Sequence, residues 1–197
     1  MAGGEIFAHP MGCQCCARPQ ATSEGLEELD FLRSACAAAQ HGQVGKLQAI
    51  LSRRPECVRS DGTPEGTSGY TPLHYAARGG SAQMVQLLLE AGAPVNQQTA
   101  AGGATALHRA AYMGHGAIIS LLLSHGADAM LQDADGETPL HKAVTQGHAG
   151  ATQLLLQAQP AAAAVRDRHC RTPLDRAPPG MAGAAALCHA DSGQVKT

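Results

Sequence analysis

The chain has 197 residues, which is enough for one domain or for one domain with tails. It is 44% hydrophobic but has no Trp and only two Phe and three Tyr, so its core must be aliphatic. The formal net charge of −2 gives no general attraction to nucleic acid or anionic lipid. The apolar runs are too short to span a membrane, and the first residues lack the pattern of a secretory signal. Seven irregularly spaced cysteines favour a reducing compartment, cytoplasmic or nuclear.

The N-terminal part of the chain divides at Leu26. Residues 1–25 show no periodicity and contain prolines, glycines and several cysteines, which predicts a disordered tail. From Leu26 onwards apolar residues recur at helical spacing. We assign residues 26–65 to a degenerate capping copy of the pattern that follows, together with a loop. An end copy is expected to diverge because one of its faces meets water.

A four-residue sequence, Thr-Pro-Leu-His or a close variant, recurs through the rest of the chain. Its copies start at Thr71, Thr105, Thr138 and Thr172, so they are 34, 33 and 34 residues apart. A period of this length indicates stacked structural repeats. We therefore divide the chain into three full repeats, a truncated C-terminal capping repeat and a tail, at residues 66–99, 100–132, 133–166, 167–190 and 191–197.

The stretch from Gly102 to Gly126 shows the repeat most clearly. Its apolar spacing predicts a short helix over Ala106–Tyr112, a break at Gly114, and a second helix over Gly116–Ser124. Both helices are shorter than the roughly 12 to 15 residues that an isolated helix needs in water. Each must therefore bury an apolar face against neighbouring copies.

The chain resembles the ankyrin-repeat family in its Thr-Pro-Leu-His openings, and in the alanine pairs and triple leucines that recur in phase with them. The resemblance implies an all-α ankyrin-repeat solenoid of stacked helix pairs with short β-turn or hairpin tips. It also implies a protein-interaction scaffold or adaptor without a cofactor. Within that family pattern, His74, His108 and His141 tie neighbouring turns by hydrogen bonds. We read His115 and His148, which also recur once per repeat, as structural.

Enzymatic motifs are missing from the sequence. There is no phosphate-binding loop, no H-E-x-x-H and no G-x-S-x-G, so we do not expect an enzyme. One alternative concerns His9, Cys13, Cys15 and Cys16. This is the one place in the sequence where several residues of the types that bind metals lie close together. Its spacing does not match paired zinc ligands, and we expect no metal site. The alternative function is an adaptor whose N-terminal Cys cluster carries lipid or metal. A further possibility is hydroxylation of Asn96.

The face of the first helices that is not needed for packing is where a partner is expected to bind. Tyr and Arg are common among the side chains that dominate binding energy. The hypothesis is a polypeptide-binding concave strip with an aromatic and basic middle and an acidic edge. We refer to these side chains as the interaction strip: Tyr75, Arg78, Arg109, Tyr112, Met113, Lys142, Gln146, Asp133 and Asp135. The expected protein is a monomer with a protein partner, no nucleic acid and no stable membrane insertion.

Overall fold

The computed structural model of the protein describes residues 35–59 and 69–178. Within these ranges it contains eight α-helices and no strand. The α-helices are residues 35–40 (α1), Val44–Arg53 (α2), Pro72–Gly79 (α3), Ala82–Glu90 (α4), Ala106–Met113 (α5), Gly116–Ser124 (α6), Pro139–Thr145 (α7) and Ala149–Ala158 (α8). The same two ranges contain three short 3-10 turns, at Pro55–Val58, Pro160–Ala164 and Leu174–Arg176.

The helices form two layers. The first helices of successive repeats, α3, α5 and α7, pack side by side, and the second helices, α4, α6 and α8, pack beside one another. Within a repeat the two helices also pack together, so each helix from α3 to α8 buries a face against at least two neighbours. This is the all-α stack of helix pairs that the sequence predicted, and it explains how helices this short are stable.

The core between the two layers is aliphatic. Leucines at one position of each first helix and one position of each second helix are buried, and each contributes about 1.5–3 kcal/mol of transfer free energy. These residues are Leu73, Leu107, Leu140, Leu88, Leu122 and Leu155. The buried alanine pair Ala110 and Ala111 lets neighbouring first helices approach closely, because a methyl group occupies little space between them.

The helix bounds agree closely with the sequence prediction. α6 spans the predicted residues, and α5 extends one residue further, to Met113. α7 ends at Thr145, two residues before Gly147, because Gln146 and not the glycine forms its C-cap. The C-cap of α5 is Gly114, whose φ of 75° is a left-handed conformation that glycine adopts without steric cost.

The last copy of the repeat is much shorter. Thr172 is followed only by the 3-10 turn Leu174–Arg176, and the chain is described as far as Pro178. Several expectations fall outside the described residues: the 1–25 tail, the start of the 26–65 unit, the end of the 167–190 capping repeat and the 191–197 tail. The division into repeats at the stated boundaries stays a prediction.

Candidate functional site

A threonine and a histidine cap the start of each first helix. The backbone N–H of Thr105 donates to Nδ1 of His108 over 3.1 Å, and the Thr105 hydroxyl lies 2.9 Å from the same nitrogen. Because Nδ1 accepts a hydrogen bond, the ring proton is on Nε2, which donates to the Glu137 carbonyl of the next repeat over 3.0 Å. Equivalent bonds join His74 to Ala104 and His141 to Arg171. The structural role predicted for these histidines is confirmed.

A second set of histidines reaches in the opposite direction. Nε2 of His115 lies 3.2 Å from the Arg78 carbonyl, and Nε2 of His148 lies 3.0 Å from the Tyr112 carbonyl, both in the preceding repeat. Their rings cover Gly80 and Gly114 respectively, and a Cβ on Gly114 would lie 2.6 Å from His148. Neighbouring repeats are therefore tied at both ends of the first helix.

Burial keeps the capping histidines neutral. Desolvation is the main cause that lowers the pKa of His74 and of His108 from 6.5 to about 4. The same cause lowers the pKa of His141. Neutral rings are required here, since Nδ1 must keep its lone pair to accept the threonine N–H. These histidines are consequently unavailable as metal ligands or general bases without breaking the cap.

Most carboxylates of the predicted acidic edge form hydrogen bonds and ion pairs within the protein. The Asp133 carboxylate accepts the backbone N–H groups of Asp135 and Glu137, each over 2.9 Å, and pairs with Lys142 over 2.7 Å. Its side chain is only 5% exposed. Glu137 also pairs with Lys142 and reaches Arg176 of the following repeat. Asp135 is the carboxylate of this turn that is exposed to solvent.

The charge network continues into the last copy of the repeat. The buried Asp167 pairs with Arg171 over 2.9 Å and with Arg176 over 3.7 Å. Burial alone would raise the pKa of Asp167, but hydrogen bonds from the backbone of Arg171, the Arg171 side chain and the His169 backbone lower it to about 2. This carboxylate is therefore ionised throughout the physiological pH range.

A cleft of about 350 Å³ lies between α5, α7 and the turn tips. Five members of the interaction strip line it, together with Gly102, Ala104 and His108: Arg109, Tyr112, Asp133, Asp135 and Lys142. The other four members, Tyr75, Arg78, Met113 and Gln146, lie outside the lining. The structure thus brings part of the predicted strip together around α5.

Besides Asp133 and Lys142, two more members of the interaction strip differ from the expectation of a free surface. Tyr75 is half-buried, packs against the hydrophobic core and makes an edge contact with the ring of Tyr70 at 4.5 Å. Arg109 is half-buried as well, and its guanidinium lies 5.3 Å from the centre of the Tyr70 ring. Arg78, Met113 and Gln146 are exposed as expected.

Sequence reasoning missed three features of this region. It did not place Tyr70 beneath Arg109, did not include Arg176 in the charge network, and did not foresee the side-chain amides that join the turns. Gln98 donates to the Gln132 carbonyl, and Gln132 donates to the Arg166 carbonyl, each 34 residues on. Asn96 likewise bonds Gly126 and Asp128. The repeat register could have found the glutamine bonds, because Gln98 and Gln132 stand 34 residues apart and each bonds a carbonyl 34 residues on.

The described residues contain no group of three or more His, Cys, Asp or Glu side chains that could hold a metal ion. His9 and the Cys13, Cys15, Cys16 cluster lie outside those residues. None of the helices in residues 35–59 and 69–178 is long and apolar enough to cross a bilayer. Cys36 and Cys57 are buried, and Cys170 is an exposed free thiol.

Comparison with known proteins gives two kinds of match. A family model of ankyrin repeats in three copies matches residues 35–133, and a second ankyrin-repeat model matches residues 122–177. The human Ankyrin repeat domain-containing protein 39 is 44% identical over 99 residues, which cover 47% of this chain and 51% of the relative. The protein of the same name from Bos taurus is 46% identical over 80 residues, 38% of this chain and 41% of the relative.

A more distant match has a different name. The bovine tRNA endonuclease ANKZF1 is 41% identical over 87 residues, which cover 42% of this chain but 12% of that protein. The chain spans about half the length of the human relative and a smaller share of the two bovine ones. The similarity therefore concerns the repeats and not the whole of any relative.

Proposed function

Because this chain belongs to the ankyrin-repeat family, we propose that it is a non-enzymatic scaffold that binds a polypeptide partner along the interaction strip. Ankyrin repeats generally mediate protein–protein interaction. The observation that carries the finer proposal is a pair of adjacent side chains. Tyr112 and Met113 are 47% and 41% exposed, and they are the large hydrophobic side chains left exposed in the described residues. Exposed apolar and aromatic side chains beside a cleft are typical of binding sites.

The proposal includes the setting in which the scaffold works. The partner is a protein, the scaffold itself is a monomer that does not bind nucleic acid, and it acts in the cytoplasm or nucleus. The exposed free thiol of Cys170 and the irregular spacing of the seven cysteines support a reducing compartment. The near-neutral net charge of −2 supports a partner other than nucleic acid.

The test is a quantitative cross-linking pull-down from cell lysate with the full chain. Tyr112→Ala is expected to weaken capture of specific partners about tenfold or more, as loss of an aromatic anchor does. Gln153→Ala is the control, because Gln153 is exposed on the second-helix layer, away from the strip. Thermal unfolding of both variants must stay close to wild type. Equal capture by wild type and Tyr112→Ala would contradict the proposal.

The same experiment distinguishes this proposal from the alternative function, an adaptor whose N-terminal Cys cluster carries lipid or metal. A variant with Cys13→Ser, Cys15→Ser and Cys16→Ser removes the N-terminal thiols without changing the strip. If partners or membrane association are lost only in this variant, function belongs to the N-terminal cluster. Intact-mass measurement of the cellular protein would then show acyl groups or bound metal.

A further inference from the structure

The repeats can be compared position by position because their turn hydrogen bonds are equivalent. The backbone N–H of Thr99 donates to the Ala104 carbonyl, and Asp133 and Asp167 make the same bond to Glu137 and Arg171. Thr99, Asp133 and Asp167 therefore occupy one position of the turn. A cation occupies another shared position, four residues after the threonine that opens each copy of the repeat: Arg109, Lys142 and Arg176.

Two of these three cations have a carboxylate in their own turn. Lys142 pairs with Asp133 over 2.7 Å, and Arg176 lies 3.7 Å from Asp167. Arg109 is different, because its own turn carries Thr99 at the aspartate position. The hydroxyl of Thr99 accepts the Ala104 N–H, as the aspartates accept turn N–H groups, but it supplies no charge.

The neighbouring repeat does not supply the missing charge either. Arg176 contacts Glu137, the residue just before the preceding threonine cap. The residue at that position for Arg109 is Tyr70, whose ring lies 5.3 Å from the guanidinium. A ring face attracts and orients a cation, but it accepts no hydrogen bond in the guanidinium plane. Within the described residues Arg109 has no ion pair, and its buried Nε has no hydrogen-bond acceptor.

We propose, on the basis of the proposed function, that Arg109 recognises a single acidic side chain, Asp or Glu, of the bound polypeptide. The carboxylate supplies to Arg109 the negative charge that an aspartate supplies to Lys142 and to Arg176 in the later repeats. The cleft lined by Arg109 and Tyr112 is the site, and an apolar neighbour of the acidic residue packs on Tyr112. A guanidinium suits this task because its fork can bind both carboxylate oxygens.

The other charges in the cleft restrict the ligand to one acidic residue at this point. Lys142 is already paired with Asp133 and Glu137, so it offers no second free cation. Asp135 on the same lining is exposed and repels a second carboxylate. The inferred ligand therefore carries an acidic residue beside an apolar one, with a neutral or basic residue facing Asp135.

Selection from a phage-displayed library of random 12-residue peptides tests this inference. The full chain is used as wild type, Arg109→Gln, Arg109→Glu and Arg109→Lys. The matched control is Arg53→Gln, because Arg53 is an exposed arginine in the last turn of α2, outside the interaction strip. Wild type, Arg109→Lys and Arg53→Gln are expected to enrich peptides with Asp or Glu at a fixed position. Arg109→Gln is expected to lose that preference, and Arg109→Glu to select Lys or Arg there.

Binding of one enriched peptide then gives the size of the effect. Replacing its acidic residue by the amide is expected to weaken binding to wild type about tenfold and to Arg109→Gln less than twofold. Circular dichroism verifies that each variant is folded. If Arg109→Gln does not fold, Arg109→Lys and Arg109→Glu still compare a positive with a negative charge at this position. Enriched peptides without an acidic position, or an acidic preference that survives in Arg109→Gln, would overturn this inference alone. Failure to enrich any peptide on folded wild type would overturn the proposed function with it.

Discussion

At the scale of single residues, the neutral histidine is the most consequential group. His108 uses Nδ1 to accept from its own repeat and Nε2 to donate to the next, so both nitrogens are committed. Protonation of Nδ1 would turn an acceptor into a donor that faces the Thr105 N–H. The buried ring therefore resists protonation, and its pKa falls to about 4.

This shift predicts a loss of stability in mild acid. The histidine pKa is about 6.5 when unfolded and about 4 when folded for His74 and His108, so between these values the unfolded chain binds more protons. The free energy of unfolding then falls as pH falls from 6.5 towards 4, approaching about 1.4 kcal/mol per pH unit for each such histidine. Urea unfolding at a series of pH values from 7.5 to 5 measures the slope.

The variant His108→Gln supplies the comparison. It is less stable at all pH values, but its slope should be smaller by about one proton. Asp167 does not interfere, since its pKa is lowered from 3.8 to about 2 and its contribution is lost only at lower pH. An unchanged slope in His108→Gln would show that this ring is not the titrating group.

At the scale of helices, the glycine at the end of α5 has two roles. Its positive φ turns the chain, and its lack of a Cβ leaves room for His148 of the next repeat. Gly126 has a similar φ of 83° but no atom within 4 Å of the position a Cβ would take. The two positions therefore separate backbone strain from the contact between repeats.

Gly126→Ala is expected to lower the free energy of unfolding by about 1–2 kcal/mol, the cost of a left-handed alanine. Gly114→Ala should lose clearly more, because His148 must move and its bond to the Tyr112 carbonyl is broken. Chemical unfolding of both variants measures the difference. Equal losses of unfolding free energy in the two variants would mean that the His148 ring moves aside at no energetic cost.

Helix positions were predictable from this sequence, whereas side-chain pairings were less so. The bounds of α6 follow from the apolar spacing and the flanking glycines, which act locally. The inward turn of Asp133 depends on Lys142 and on the hydrogen bonds of its own turn, and the position of Arg109 depends on Tyr70 in another repeat. Apolar spacing does not specify such side-chain contacts, because they depend on how the turns fold and on how neighbouring repeats pack.

At the scale of the whole molecule, charge couples the last repeats. Glu137 contacts Lys142 of its own repeat and Arg176 of the next, and its side chain is only 9% exposed. Removing this carboxylate leaves two partly buried cations with fewer partners. Loss of the Glu137 carboxylate is therefore expected to weaken the packing between its own repeat and the last one.

Glu137→Gln is expected to lower the free energy of unfolding by about 1–3 kcal/mol. Hydrogen exchange should show reduced protection in α7 and around residues 167–176. Asp135→Asn is the matched control, because it removes an exposed carboxylate from the same turn and should change stability by less than about 0.5 kcal/mol. If the two variants are equally stable, the network contributes nothing net.

The opposed histidines also have a mechanical consequence. His74, at the start of α3, bonds to the Ala104 carbonyl of the following repeat. His115 of that following repeat bonds to the Arg78 carbonyl at the end of α3. One tie would act as a pivot, but two ties at opposite ends resist rotation of one repeat against its neighbour. The spacing and angle between α3 and α5 are consequently fixed. Under the proposed function, a flexible polypeptide partner would therefore adjust its own backbone to this rigid surface.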